Sequence, residues 1–259
     1  MSPFFCPLAS GSKGNALLVR SSNSVILIDA GISCKQLQER LKAFHLHLSD
    51  IDAILVTHEH VDHIAHIGSL SLKHKIPILT NAETAKAIYD FLGSCPQFKI
   101  FSTGESFCFG DLQIYPFTIQ HDAVEPIALT IEMPSARLGI CTDLGSVTTL
   151  VKMSLKECSH LYIEANHEPD LVKACSRPRI YQDRVLGPLG HLSNEQSAEL
   201  LKHIATPYLK KVYLAHLSSE CNTETLALRY AQNALQELQL NASVEIAYQD
   251  RSSTPSLLS

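Results

Sequence analysis

His58, His60, Asp62 and His63 fall within six consecutive residues, directly after the apolar run 53–56. Imidazole nitrogens and a carboxylate at this density suit a divalent ion of intermediate hardness, namely zinc, manganese or iron. A helix would bring histidines to one face at i and i+4. The H-x-H-x-D-H spacing instead suits a loop leaving a strand, where successive side chains fan towards different ions. Four donors cannot complete two metal sites, so further ligands are expected at other strand ends. Three candidates occur in order: His121 after the stretch 112–119, Asp143 after 138–141, and His216 after 212–215. Strand ends along one edge converge on one place, as a composite site needs.

The elements that must position these groups are legible as apolar runs and caps. Strands are expected at 16–20, 24–29, 53–56 and 76–80, with helices at 33–44, capped by Ser33, and 83–92. The middle turns β-rich at 106–109, 112–117, 126–133 and 137–141. Helical periodicity returns at 147–158, at 194–204 behind Ser193, and at 223–238, with strands at 161–164 and 211–215 between. This pattern predicts an α/β fold of four layers, an αββα sandwich, as one domain over 1–250 with a polar tail at 251–259.

With the ligand order in place, the chain resembles the metallo-β-lactamase fold hydrolases over nearly its whole length. The resemblance implies two divalent ions, zinc or manganese with iron also compatible, sharing a hydroxide as nucleophile. It implies that His58, His60 and His121 hold one ion, that Asp62, His63 and His216 hold the other, and that Asp143 bridges them. Asp62 would also orient the nucleophile. Four further motifs are similar to the YycJ/WalJ branch: Leu8-Ala9-Ser10-Gly11-Ser12-Lys13-Gly14-Asn15, His121-Asp122-Ala123-Val124-Glu125-Pro126, Glu164-Ala165-Asn166-His167 and Gly190-His191-Leu192-Ser193-Asn194-Glu195. That branch implies a bacterial nuclease of the 5'-to-3' DNA exonuclease type. Residues 164–216 are also similar to the ribonuclease Z group, which leaves RNA open as a substrate. Ile163 stands where that group has histidine, and no stretch reads as its long tRNA-holding arm.

A leaving alkoxide needs a proton or a cation, and His191, then His167, are the candidates to supply it. Ser10, Ser12 and Asn15 lie in a Gly/Ser loop whose backbone N–H groups could cradle a phosphate. Asn166 and His191 are further substrate-contact candidates. Glu59 and Glu125 are candidate partners for metal-bound imidazoles. Lys35, Lys42, Lys73 and Lys75 read as a solvated face rather than a nucleic-acid rim. His45, His47, His66, His74, His160 and His203 read mostly as surface or half-buried residues.

Composition narrows the alternatives. The net charge of -5 argues mildly against a nucleic-acid binder, although bound metal would neutralise several carboxylates. It suits a small substrate equally: a glyoxalase II-like thioester, a cyclic nucleotide or a lactam. Asp143, where lactamases usually carry cysteine, argues against the last. His60 argues against diiron oxygen reduction, where glutamate takes that place. The eight cysteines form no CxxC pair and are expected as free thiols in a reducing compartment. No apolar run approaches the ~20 residues that span a bilayer, and residues 1–9 lack the basic start of a signal peptide. The expected location is the cytoplasm.

Overall fold

The computed structural model describes residues 2–258. Its strands are β1 (Phe4–Ala9), β2 (Ala16–Arg20), β3 (Val25–Ile28), β4 (Ala53–Leu55), β5 (Ile78–Thr80), β6 (Phe98–Ile100), β7 (Phe107–Phe109), β8 (Leu112–Thr118), β9 (Ile127–Met133), β10 (Ala136–Cys141), β11 (His160–Glu164), β12 (Lys211–Ala215), β13 (Ser243–Ile246) and β14 (Ser256–Leu257). The helices are α1 (Cys34–Leu41), α2 (Val61–Ile64), α3 (Ala82–Leu92), α4 (Thr149–Leu155), α5 (Pro169–Ala174), α6 (Arg179–Leu186), α7 (Asn194–Ile204) and α8 (Glu224–Glu237). The chain groups into two compact units: Met1–Pro116 with Ala123–Ile127 and Ala247–Ser259, and Phe117–Asp122 with Ala128–Ile246.

In the first unit a sheet runs β14-β1-β2-β3-β4-β5-β6. β3 to β6 are parallel, whereas β14, β1, β2 and β3 pair antiparallel. β3 and β4 are buried at every residue. Burial on both faces explains why they read as continuous apolar runs instead of alternating ones. Leu37 and Leu41 of α1 join Leu27, Ile54 and Val56 in one core, each side chain contributing roughly 1.5–3 kcal/mol. Ser33 caps α1 in a reciprocal capping box with Gln36.

The second unit carries β13-β12-β11-β10, all parallel, with β9 antiparallel to β10. Tyr162 and Tyr213 are its largest fully buried side chains. Ser193 begins α7 through a capping box with Gln196, and Thr223 caps α8. Parallel strands connected through helices make the fold α/β, as expected.

The differences from the sequence reading have local causes. β6 and β13 are short and partly exposed, so no apolar run marks them. Pro7 masks β1. α5 buries only Val172, and α6 only Gln182 and Val185, too little for a visible stripe. The stretch read as a polar tail supplies β14, with Phe4 opposite Leu257, and Leu258 is buried; Ser259 lies outside the described residues. His160, read as superficial, is buried. All eight cysteines are free thiols. Among the described residues, no helix is long and apolar enough to cross a membrane.

Candidate metal centre

In the first unit, β4 delivers the chain to Thr57 and His58, and the expected loop tightens at Val61–Ile64 into the single turn α2. Asp62 and His63 therefore sit on a helical turn that follows His60. Asp29, at the end of β3, organises this region. Its Oδ1 accepts the Thr57 N–H at 2.9 Å, and its Oδ2 lies 2.7 Å from His63 Nδ1. With Nδ1–H donated to Asp29, His63 presents its Nε2 lone pair, the arrangement that orients a metal-binding imidazole. Thr57 Oγ1 lies 3.0 Å from His58 Nδ1. The His58 ring centroid is 4.7 Å from that of His60 and 4.1 Å from that of His63.

Asn15 is 1% exposed, and its side-chain amide lies 3.0 Å from His63 Nε2 and 3.2 Å from Asp62 Oδ2. The loop it closes is braced from within. N–H groups of Ser10, Gly11, Lys13, Gly14 and Asn15 donate to Tyr248 O, Asn15 Oδ1, Gln249 Oε1, Gly11 O and Asp62 O. The expected cradle of free backbone donors is thus largely committed inside the protein, and only Ser12 and Lys13 of the loop are exposed. Gly31 permits this closeness: a Cβ there would lie 1.8 Å from Asp62 O. Glu59 and Glu125 hold no imidazole. Glu59 accepts the Val124 N–H, and Glu125 accepts the Thr103 hydroxyl.

In the second unit, Asp143 follows β10 with a left-handed backbone, φ 57°. Its Oδ1 is 3.5 Å from His216 Nε2, 3.8 Å from His191 Nδ1 and 3.9 Å from His121 Nε2. His121 Nδ1 faces the carbonyls of Leu189 and Gly190 at 3.1 and 3.2 Å. A carbonyl only accepts, so Nδ1 carries the proton and Nε2 is the basic nitrogen. Glu164, at the end of β11 and fully buried, binds His191 Nδ1 through Oε1 at 2.8 Å. Its Oε2 accepts the N–H groups of Leu144 at 2.9 Å and Leu192 at 3.0 Å. One ligand atom each from Asp143, Glu164, His191 and His216 lies within 4.8 Å of the others. Burial would lower the His191 pKa, but the charge and hydrogen bond of Glu164 outweigh it and the net shift is upward. Asn166 Nδ2 donates to the His216 carbonyl at 2.7 Å.

Imidazoles converge with buried carboxylates in each unit, the donor chemistry of a zinc, manganese or iron site. Asp29, Asp143 and His216 all adopt positive φ at strand ends, a backbone conformation worth tolerating where a side chain must be aimed.

Residues 24–217 match the family described as the beta-lactamase superfamily domain. The chain is 35% identical over 235 residues to Exodeoxyribonuclease YycJ of Bacillus anthracis, covering 90% of this chain and 89% of that protein. The chain belongs to the metallo-β-lactamase superfamily of hydrolases, in the YycJ/WalJ branch. Another member of that branch, Exodeoxyribonuclease WalJ of Streptococcus pneumoniae serotype 2 (strain D39), is 35% identical over 249 residues, 95% of this chain and 93% of that protein. The metallo-β-lactamase fold protein YhfI from Bacillus subtilis superposes with a TM-score of 0.74 over 98% of this chain and 99% of that one, at 17% identity. That likeness confirms the fold expected from the sequence.

Three residues that contact the candidate ligands in this YycJ/WalJ-branch chain carry no role in the sequence reading: Asp29 and Thr57 in the first unit and Glu164 in the second. Asp29 and Glu164 each end an apolar strand, the same signal that marked Asp143.

His167, beside Asn166, is 2% exposed. Burial pushes its pKa down to about 4, against the pull of Glu164. The unfolded chain binds this proton below about pH 6.5, and the folded one only near pH 4. Stability at this residue is therefore complete above pH 6.5 and falls as pH drops towards 4, by up to about 3 kcal/mol. Urea unfolding of metal-free protein at pH 6.5, 5.5 and 4.5 should show the loss in wild type and a flatter profile in His167→Gln. Equal slopes would exclude His167 as the source.

Proposed function

We propose that the protein is a two-metal nuclease that hydrolyses phosphodiester bonds of DNA from a 5' end in the manner of an exonuclease. The observation that carries this reading is the 35% identity, across 90% or more of the chain, to proteins named exodeoxyribonucleases. Asp143, a carboxylate at the position expected to join two ions, supports it further. In this reading His58, His60 and His121 hold one ion, Asp62, His63 and His216 hold the other, and Asp143 is shared. When bound, the ions supply a nucleophile at neutral pH and neutralise charge developing on the phosphoryl oxygens.

The chain's own residues do the rest. Asp29 keeps the His63 proton on Nδ1, and the Leu189 and Gly190 carbonyls do the same for His121. Asp62 orients the attacking water. Glu164 holds a proton on His191 Nδ1, so a protonated His191 donates from Nε2 to the leaving oxygen. His167, neutral at pH 7, serves as packing rather than as a proton source. Ser12 and Asn166 flank the substrate, while buried Ser10 secures the loop and Asn15 braces Asp62 and His63.

The test offers a labelled single-stranded DNA, the matching RNA, a thioester and a lactam to the same preparation. It includes chelator-treated protein and separate re-addition of Mn²⁺ and Zn²⁺. DNA cleavage that chelation abolishes and one of the two ions restores is the expected result. Thioester or lactam turnover with intact DNA would replace the nuclease reading by a small-molecule hydrolase, and preference for RNA would make it a ribonuclease.

A further inference from the structure

We propose that Tyr248 and Arg251 form a stacking platform for the terminal nucleotide of a single-stranded DNA substrate. The proposal rests on the nuclease reading above and names a contact that none of the metal-binding residues supplies.

The Arg251 guanidinium carbon lies 3.6 Å from the centroid of the Tyr248 ring. That is van der Waals separation, with the guanidinium lying over the face of the ring. The Arg251 side chain is 58% exposed, which leaves the outer face of the guanidinium open to a third planar group. A nucleobase stacks on an arginine plane as it does on an aromatic ring, and the positive charge adds attraction to the neighbouring phosphate.

Position matters as much as chemistry. Tyr248 and Gln249 are tied to the loop 10–15 by three hydrogen bonds. Ser10 N–H donates to Tyr248 O at 2.9 Å, Lys13 N–H to Gln249 Oε1 at 2.8 Å, and Gln249 Nε2 to Gly14 O at 2.9 Å. The same loop ends at Asn15, whose amide reaches Asp62 and His63. Platform and metal-binding turn are thus two ends of one braced segment within the first unit. Exposed Lys13 adds a second cation on this rim. Asp250 opposes them, 77% exposed and 3.5 Å from Arg251. An ion pair that exposed is worth little, and the rim keeps a net positive charge. Against an overall charge of -5, such a local cationic face offers a DNA end attraction that the chain as a whole does not.

The experiment compares Arg251→Ala, Arg251→Lys and Tyr248→Leu with wild type. It measures kcat/KM on a 5'-labelled single-stranded oligonucleotide and on bis(p-nitrophenyl) phosphate, at several salt concentrations. In Arg251→Ala and Tyr248→Leu the oligonucleotide-to-diester ratio should fall about tenfold, through KM for the oligonucleotide. Arg251→Ala should also flatten the slope of log KM against log salt by about 0.7. Arg251→Lys should recover the slope but not the affinity, since it keeps the charge and loses the plane. A ratio within twofold of wild type in all three variants overturns the platform while the nuclease reading stands. Parallel loss on both substrates also overturns it, because that is the mark of a structural role. A wild-type protein that hydrolyses the diester but neither binds nor cuts the oligonucleotide overturns the nuclease reading and the platform together. If Tyr248→Leu fails to fold, the two Arg251 variants carry the comparison.

Discussion

Asp143→Asn is expected to lower metal-dependent turnover by about a thousandfold while leaving the fold in place. Three imidazole nitrogens lie 3.5–3.9 Å from one oxygen of this carboxylate, so the negative charge sits at the centre of the donor set of the second unit. Asparagine keeps the volume and tolerates the φ of 57° that Asp143 adopts. Alanine would add backbone strain to the loss of charge and blur the result. The amide also turns a donor towards His121 Nε2 and His216 Nε2, which must offer lone pairs to bind metal. Metal content by elemental analysis should therefore fall together with turnover, while the thermal midpoint of the metal-free protein stays near wild type. Near-normal hydrolysis by Asp143→Asn would sink the shared-carboxylate model. His60→Ala, which removes a donor from the first unit, should behave in the same direction.

Glu164→Gln carries the second large effect, and its signature differs. Glu164 is fully buried and makes three hydrogen bonds: from Leu144 N–H, from Leu192 N–H and with His191 Nδ1. All three partners present a proton, and a carboxylate alone accepts from every side. A glutamine amide must point its NH₂ group at one set of them, donor against donor. The cost is an unsatisfied buried group with about 1–3 kcal/mol lost. Leu144 follows Asp143 directly and Leu192 follows His191, so the same carboxylate also fixes the two loops that aim those side chains. The expected outcome is an unfolding free energy lowered by that amount, read as a lower urea midpoint at unchanged m-value, with kcat down about a hundredfold. A variant with wild-type stability and a hundredfold lower kcat would assign Glu164 to proton transfer alone. Wild-type values of both would remove it from the site.

Much of this was legible in advance because its cause is local. A strand buried on both faces has to be apolar, and a helix start needs its spare N–H groups accepted. Hence β2, β3, α1 and α7 were found close to their observed limits, together with their caps Ser33 and Ser193. The rule that chemistry collects at strand ends located His121, Asp143 and His216. The same rule applied to carboxylates would have found Asp29 and Glu164, but an acidic residue after a strand is ordinary and nothing in its neighbours along the chain marks it. Glu59 and Glu125 were read as imidazole partners from proximity in sequence, whereas the structure turns them to Val124 and Thr103. The short or polar elements β6, β13, β14, α5 and α6 escaped because tertiary packing, not an apolar pattern, holds them.

The sequence by itself determined the donor types, their order and the strands that carry them, and with those the superfamily. Tertiary structure alone decided the state of each donor. His63 is oriented by Asp29, 34 residues away, and His121 by the Leu189 carbonyl, 68 residues away. His191 and His167 are shifted in opposite directions although both lie near Glu164: burial lowers both, but His191 donates a hydrogen bond to that carboxylate, which together with its charge outweighs burial, whereas His167 feels its charge alone. Tautomer and protonation depend on the nearest group in space and on access to water. Both are properties of the folded chain, and neither is encoded in any short stretch of it.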